Sequence, residues 1–232
     1  IIYRNEKYLT LVSLIFILAL LLSKVGIVFS GYLVPVAAGS MLITILLDSR
    51  LAILMTVIMS FLAGIMGGND FWIAAVALVG GIVGVYSVSK LAKRSDLTRA
   101  GFITGFVNVC SIAAVGLITH TFPLQVLKDG GIGIINGVIS AILTIGLLPY
   151  FETTFGITTS VKLLELSNPN ETLLRRLLVE APGTYHHSII VGNLAEAAAE
   201  VVGGDTLLAR VGAYYHDIGK LKRPYFFIEN QF

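Results

Sequence analysis

Six long apolar runs, each bounded by charged or turn-forming residues, constrain this 232-residue chain more than any other feature. They cover residues 8–23, 25–47, 51–69, 71–89, 100–127 and 130–151. A helix needs about 20 apolar residues to cross the hydrocarbon of a bilayer, within a range of roughly 17 to 25. All six are therefore candidate spans. The first is long enough if Lys7 and Lys24 reach towards the interfaces, and the fifth has room for a loop or re-entrant portion near His120 and Pro123. A composition of 56% hydrophobic and 13% charged residues lies outside the soluble globular range. Of the 16 Lys and Arg and 14 Asp and Glu, half lie before Lys162 and half in the shorter remainder. The expected architecture is all-α: a polytopic transmembrane helical bundle over residues 1–152, juxtamembrane connector helices over 153–182, and a polar helical module over 183–232.

Orientation follows from Lys and Arg, which are in excess in cytoplasmic loops. With both ends of the six-span set inside, the inner segments hold Arg4, Lys7, Arg50, Lys90, Lys93, Arg94 and Arg99, against Lys24 and Lys128 outside. The chain is thus expected to be a multi-pass protein of the plasma membrane, with the lipid bilayer as a partner and its polar module in the cytoplasm. Net charge of +2, with no Lys/Arg run interleaved with aromatics, argues against a nucleic-acid polymer as partner. The single cysteine, Cys110, excludes an internal disulfide and a cysteine-rich metal site, and its apolar surroundings predict a packing role. Glycines four apart (Gly64 and Gly68, Gly80 and Gly84, Gly101 and Gly105, Gly133 and Gly137) let helix backbones approach closely and permit a homo-oligomer. Asn108 and Asn136 lie within spans, while Asp48, Asp70 and Glu152 fall at predicted helix ends. Nothing resembles a buried carboxylate relay, which disfavours a transporter.

Beyond residue 151 the pattern becomes amphipathic. Residues 160–167 predict a short helix, and Asn168-Pro169-Asn170 breaks the chain. Asn170 is the expected cap of a second helix with Leu173, Leu174, Leu177 and Leu178 on one stripe and Arg175 and Arg176 facing away. Ala181-Pro182-Gly183 ends it. A third helix is predicted from Thr184 to about Val202, its inward face carrying His187, Ile190, Val191, Leu194, Ala198 and Val201. Gly203-Gly204-Asp205 turns the chain and Asp205 caps a fourth helix, whose buried face of Leu207, Leu208, Val211 and Tyr215 leads to His216-Asp217.

Three of the four histidines lie between Gly183 and Lys220, together with the adjacent pair His216-Asp217. Neutral imidazole and carboxylate suit divalent first-row metals such as Fe, Mn or Zn, and a carboxylate can bridge two ions. His216 and Asp217 can aim at one point if they close a helix, with His187 arriving from a neighbouring antiparallel helix. His187, His216 and Asp217 are therefore the candidate metal ligands. Two ions about 3.5 to 4 Å apart would stabilise attacking and leaving oxygens in phosphoester hydrolysis. His186, one helical step from His187, suits a substrate-facing or supporting role, and Lys220 suits a substrate phosphate or charge stabilisation in catalysis.

His187, His216-Asp217 and the trailing Gly219-Lys220 resemble the HD superfamily of metal-dependent phosphohydrolases. Three fuller runs, 180–188 (EAPGTYHHS), 213–220 (AYYHDIGK) and 223–231 (RPYFFIENQ), resemble the bacterial seven-transmembrane HD family more closely, as does the connector over 163–170. The resemblance covers essentially the whole chain. It implies an extracellular domain, seven spans and a cytoplasmic HD domain, so that the first span is expected before Ile1 and the HD module here is its N-terminal part. Further histidines for a second metal and a later aspartate for the first are expected beyond Gln231. The resemblance further implies two divalent transition metals, Fe or Mn, with His187 and His216 on the first ion and Asp217 bridging. Its PgpH-type members imply a bacterial cell-membrane phosphodiesterase that opens cyclic-di-AMP to pApA, regulated through the bundle. The rival readings are a nucleotide-binding signalling receptor with a non-hydrolytic HD module and, from another class, a transporter.

Overall fold

The computed structural model describes residues 6–89, 91 and 95–231; Arg4, Lys90, Lys93 and Arg94, which carry much of the expected charge asymmetry, lie outside them. The described residues form ten α-helices and three short 3-10 turns, with no strand among them. They divide into two compact units, Ile1–Thr159 and Ser160–Phe232.

Among the described residues of the first unit, five helices are long and apolar enough to cross a membrane: α1 (Glu6–Phe29), α3 (Ser49–Met66), α4 (Phe71–Val88), α5 (Ser95–Ile118) and α6 (Pro123–Phe155). The expected continuous span over residues 25–47 is not one helix. Residues 25–29 finish α1, so Lys24 projects from a helix rather than lying in a loop, and only α2 (Val36–Leu46) follows. Eleven residues make roughly 17 Å of helix, about half the hydrocarbon thickness. Pro35 sets the break, because a residue without an N–H is tolerated at a helix start and not inside one. Lys128 likewise lies within α6.

Non-helical backbone at membrane depth survives only where protein satisfies its polar groups. Asn136 of α6 donates from Nδ2 to the Val34 carbonyl at 3.1 Å, at the foot of the irregular segment. Thr144, two turns further along α6, donates to the Ser140 carbonyl at 2.8 Å with the Ala38 carbonyl 3.5 Å away, and the Ser40 and Thr56 hydroxyls meet at 2.6 Å. Nearly all of α2 is buried, including Met41, Leu42 and Ile43. Asn136, Thr144 and Thr56 thus face the short helix and the turn before it, while Leu14, Ile17, Leu21, Phe61, Phe102 and Phe106 are exposed on the outside. This distribution suits lipid, in which apolar side chains gain nothing by hiding.

The glycine pairs mostly mark contacts within the chain. A Cβ on Gly137 of α6 would strike the backbone of Gly105 on α5, and one on Gly101 would lie 2.5 Å from Ala141 Cβ. Asn108 of α5 donates to the Gly133 carbonyl at 3.3 Å across the same crossing. Gly101, Gly105, Gly133 and Gly137 are therefore occupied inside the bundle and are not free for self-association. Gly68 is not on a helix face at all; with φ +92° it forms the turn after α3. Cys110 is exposed on the lipid-facing side of α5 and not packed as expected, because the neighbouring helices cover the Thr104 and Asn108 face. Asp48 and Asp70 cap α3 and α4, accepting from the N–H of Arg50 at 3.2 Å and of Trp72 at 2.7 Å. Glu152, near the end of α6, accepts from the Thr159 hydroxyl. His120 turns the chain between α5 and α6 with φ 52°, and Pro123 opens α6.

The second unit contains α7 (Ser160–Leu166), α8 (Thr172–Glu180), α9 (Pro182–Val202) and α10 (Thr206–Tyr215). The cap of α8 is Glu171, which accepts from the Leu173 N–H at 2.8 Å, and not Asn170. Asn168 takes the Asn170 N–H at 3.0 Å and holds that residue in the preceding turn. Leu174 and Leu177 are buried, with Leu173 and Leu178 flanking them at the surface. Asp205 caps α10 as its sequence position suggests. The buried face of α9 differs from expectation: Thr184, Ser188 and Gly192 are covered, whereas Ile190, Leu194 and Val201 are exposed. The Tyr214 ring of α10 lies where a Cβ on Gly192 would stand, so α10 seats on the small-residue face instead of the apolar stripe. In α10 itself Val211 and Ala213 are buried, while Leu208 is exposed.

If the α5–α6 crossing depends on backbone contact, Gly137→Val forces the helices apart and destabilises the protein by about 3 kcal/mol or more. Gly146→Ala, whose Cβ meets nothing within 4 Å, leaves stability unchanged or slightly raised. Thermal unfolding of the detergent-solubilised protein measures both.

Candidate metal centre

His187 projects from the second turn of α9, and its partners arrive where α10 ends. His216 is the C-cap, still helical at φ −59° and ψ −31°, but Asp217 leaves the helix at φ −107° and ψ 14°. That change of backbone direction lets two successive side chains converge instead of diverging by a helical step. Asp217 Oδ2 lies 3.3 Å from His216 Nε2 and 3.9 Å from His187 Nε2, and the two imidazole centroids are 5.5 Å apart. The three donor atoms all fall within 4.8 Å of one another.

The tautomer of His216 is fixed by its surroundings. Its Nδ1 is 2.7 Å from the Ala213 carbonyl, which can only accept, so Nδ1 donates there and Nε2 is the nitrogen turned towards Asp217. A ring oriented this way by a backbone carbonyl is the usual support of a metal-bound histidine. The side chains of His187, His216 and Asp217 remain 50%, 39% and 24% exposed, so a solvent ion can reach them. Two imidazoles and a carboxylate fit a divalent transition metal.

Lys220, in the first 3-10 turn (Ile218–Lys222), places Nζ 2.9 Å from the same Asp217 oxygen and 2.7 Å from Glu229 Oε1, and over the Phe227 ring at 4.8 Å. Its hydrogen bonds to Glu229 and Asp217 hold the ammonium above the ordinary lysine range, and the bond from Lys220 holds Glu229 below the ordinary carboxylate range. Both therefore stay charged across neutral pH. His186 is exposed, edge-on to Tyr185 at 5.8 Å, and is not part of the cluster.

Asn230, Thr184, Glu229 and Gly183 complete the setting. Asn230, in the third 3-10 turn (Ile228–Asn230), accepts from the Thr184 N–H at 3.1 Å and donates to Thr184 Oγ1 at 2.8 Å and to the Pro224 carbonyl at 3.3 Å. It thereby satisfies an orphan donor in the first turn of α9. Thr184 in turn donates to Glu229 at 3.2 Å. Gly183 admits this contact, since a Cβ there would collide with the Glu229 carbonyl. The partners stand more than forty positions apart in sequence, and only the neighbouring run Glu229-Asn230-Gln231 hints at them.

Tyr215 steadies the other side. Its hydroxyl donates to the Leu166 carbonyl at 2.9 Å and lies 3.3 Å from Glu171 Oε2, tying the end of α10 to the turn between α7 and α8. Burial, followed by the Glu171 charge, pushes the phenol up to about 12. Tyr215→Phe should cost about 1 kcal/mol of stability, by unfolding in denaturant, because it leaves the Leu166 carbonyl without this donor.

A helical membrane unit followed in one chain by a helical module with a His and His-Asp cluster defines a multi-pass membrane protein of the HD class. Comparison with known proteins is specific. A family described as "7TM receptor with intracellular HD hydrolase" matches residues 1–159, and the HD domain matches residues 184–231. The chain belongs to this seven-transmembrane HD family. It is 45% identical to cyclic-di-AMP phosphodiesterase PgpH of Bacillus subtilis (strain 168), over 99% of this chain and 34% of that protein. Identity to the protein of the same name from Listeria monocytogenes serotype 1/2a (strain 10403S) is 39%, over 98% of this chain and 32% of the relative. An uncharacterized Synechocystis protein, slr0104, is 38% identical over 68% of this chain and 20% of its own length. The chain spans about a third of the length of the two phosphodiesterases it matches. No solved structure matches it.

Proposed function

We propose that the protein is a membrane-anchored, metal-dependent phosphodiesterase that hydrolyses cyclic-di-AMP to pApA. The observation that carries this reading is the convergence of His187, His216 and Asp217 donor atoms within 4.8 Å, with His216 held by the Ala213 carbonyl in the tautomer a ligand needs. The substrate is suggested by the two relatives named cyclic-di-AMP phosphodiesterase.

In this reading His187, His216 and Asp217 would hold a divalent ion, Fe or Mn, with Asp217 serving both ions of a pair. A divalent ion there supplies Lewis-acid activation of water and of a phosphoryl oxygen. The ammonium of Lys220, beside Asp217, offsets negative charge on the phosphodiester as it develops. His186 is exposed one helical step from His187, and in this reading it meets the nucleotide rather than a metal. The functional division is a membrane bundle over 1–152, a connector over 153–182 and an HD module from 183, with the HD module cytoplasmic. The description of the matching family, which has an intracellular HD hydrolase, supports that side. The bundle regulates hydrolysis through the connector helices.

Purified membrane protein loaded with Mn or Fe should hydrolyse cyclic-di-AMP in preference to cyclic-di-GMP and linear dinucleotides. His187→Ala, His216→Ala and Asp217→Asn should each lower bound metal and reduce turnover by about 100-fold or more. Equal inactivity of the wild type on every dinucleotide would sink the enzyme reading. Nucleotide binding without turnover, unaffected by Asp217→Asn, would make the protein a receptor.

A further inference from the structure

Lys220 and any divalent ion held by the His-His-Asp cluster need the same atom. Asp217 Oδ2 is the carboxylate oxygen nearest both His216 Nε2 and His187 Nε2, and it is also the oxygen that Lys220 Nζ contacts at 2.9 Å. A metal–carboxylate bond is about 2.0 to 2.2 Å long, so the two cations would stand close together on one oxygen. Like charges at that range repel, so an ion on Asp217 favours withdrawal of the ammonium. The lysine has somewhere to go. Glu229 Oε1 already lies 2.7 Å from Nζ, and Phe227 offers its ring face at 4.8 Å. Glu229 is itself held by Thr184 Oγ1 at 3.2 Å, and the adjacent Asn230 is buried and bonded twice to Thr184. The receiving carboxylate is thus fixed to α9, the helix that carries His187.

We propose that Glu229 is a positioning residue that withdraws the Lys220 ammonium from Asp217 when a divalent cation binds there, and so sets the metal affinity of the centre. The proposal rests on the metal-centre reading above and adds a residue that does not touch the metal. Lys220 is the internal competitor; Glu229 decides how weakly it competes. The same transfer keeps the ammonium beside the centre, tethered at a defined distance, where an anionic phosphodiester can use it.

The test is a double-mutant cycle on Mn affinity, measured by titration of the metal-stripped membrane protein with Mn and detection of free Mn by electron paramagnetic resonance. Glu229→Gln keeps an oxygen for Thr184 but loses the charge that attracts Lys220, and should weaken Mn binding about tenfold. Lys220→Met removes the competitor and should tighten binding. In the Lys220→Met background, Glu229→Gln should change the affinity by no more than about twofold. An equal loss from Glu229→Gln in both backgrounds would overturn the proposal, as would weaker binding in Lys220→Met. Because Lys220→Met is predicted to gain affinity, a variant that merely misfolds cannot mimic the expected result. Wild-type protein that binds no Mn would defeat both the metal-centre reading and this inference, whereas Mn binding without coupling between the two residues would defeat the inference alone.

Discussion

Hydrocarbon offers no hydrogen bonds, so every backbone N–H and C=O of the membrane unit must find its partner inside the protein. Five helices meet that demand by being continuous. The sixth apolar run does not, because Pro35 interrupts it, and the consequences spread through the unit. The Val34 carbonyl beside the break accepts from the Val36 N–H at 2.8 Å and, across the bundle, from Asn136 of α6 at 3.1 Å. Asn136 can reach it only because α2 is enclosed by its neighbours. The crossing of α5 and α6 in turn depends on glycines that let backbone meet backbone, and Asn108 bonds across it. Polar side chains that could pass for a transport pathway act here as ties between helices.

In the second unit the governing interaction is the pairing of the Asp217 carboxylate with the Lys220 ammonium beside two imidazoles. Asp217 leaves α10 at the residue where the helical geometry ends, and its Oδ2 faces two imidazoles and an ammonium. Each neighbour is anchored by a different element: His187 by α9, His216 by the Ala213 carbonyl, and Lys220 by Glu229. Tyr215 fixes the end of the helix that delivers the pair. Such an arrangement concentrates ligand atoms at a solvent-accessible point while keeping the negative charge of Asp217 balanced.

Periodicity and punctuation made much of this legible. The long apolar runs predicted the spans, Asp48 and Asp70 marked helix ends and Asp205 a helix start, and the residues before Thr184 marked the boundary between α8 and α9. The adjacency of His216 and Asp217 suggested ligands closing a helix. Other features escaped for identifiable reasons. An apolar stripe shows which residues can be buried, not which side a neighbour will cover, so Ile190, Leu194 and Val201 of α9 were placed inwards although α10 packs on Gly192. Hydropathy averages across Pro35, and the short buried helix after it looked like part of a span. Local capping also misled: Asn170 is a good cap by type, but Asn168 holds it in a turn and Glu171 takes its place.

The amino-acid sequence by itself determined the membrane character, the helical class and the residue types of the centre, because these depend on local composition, spacing and side-chain chemistry. Tertiary structure alone decided that α2 is a half-length helix held by Asn136, that the paired glycines of α5 and α6 serve one crossing, and that Glu229 and Asn230 close on Thr184. Those outcomes rest on contacts between residues far apart in the chain. Their strength depends on distance, enclosure and the charge of a partner, none of which a linear order of residues specifies.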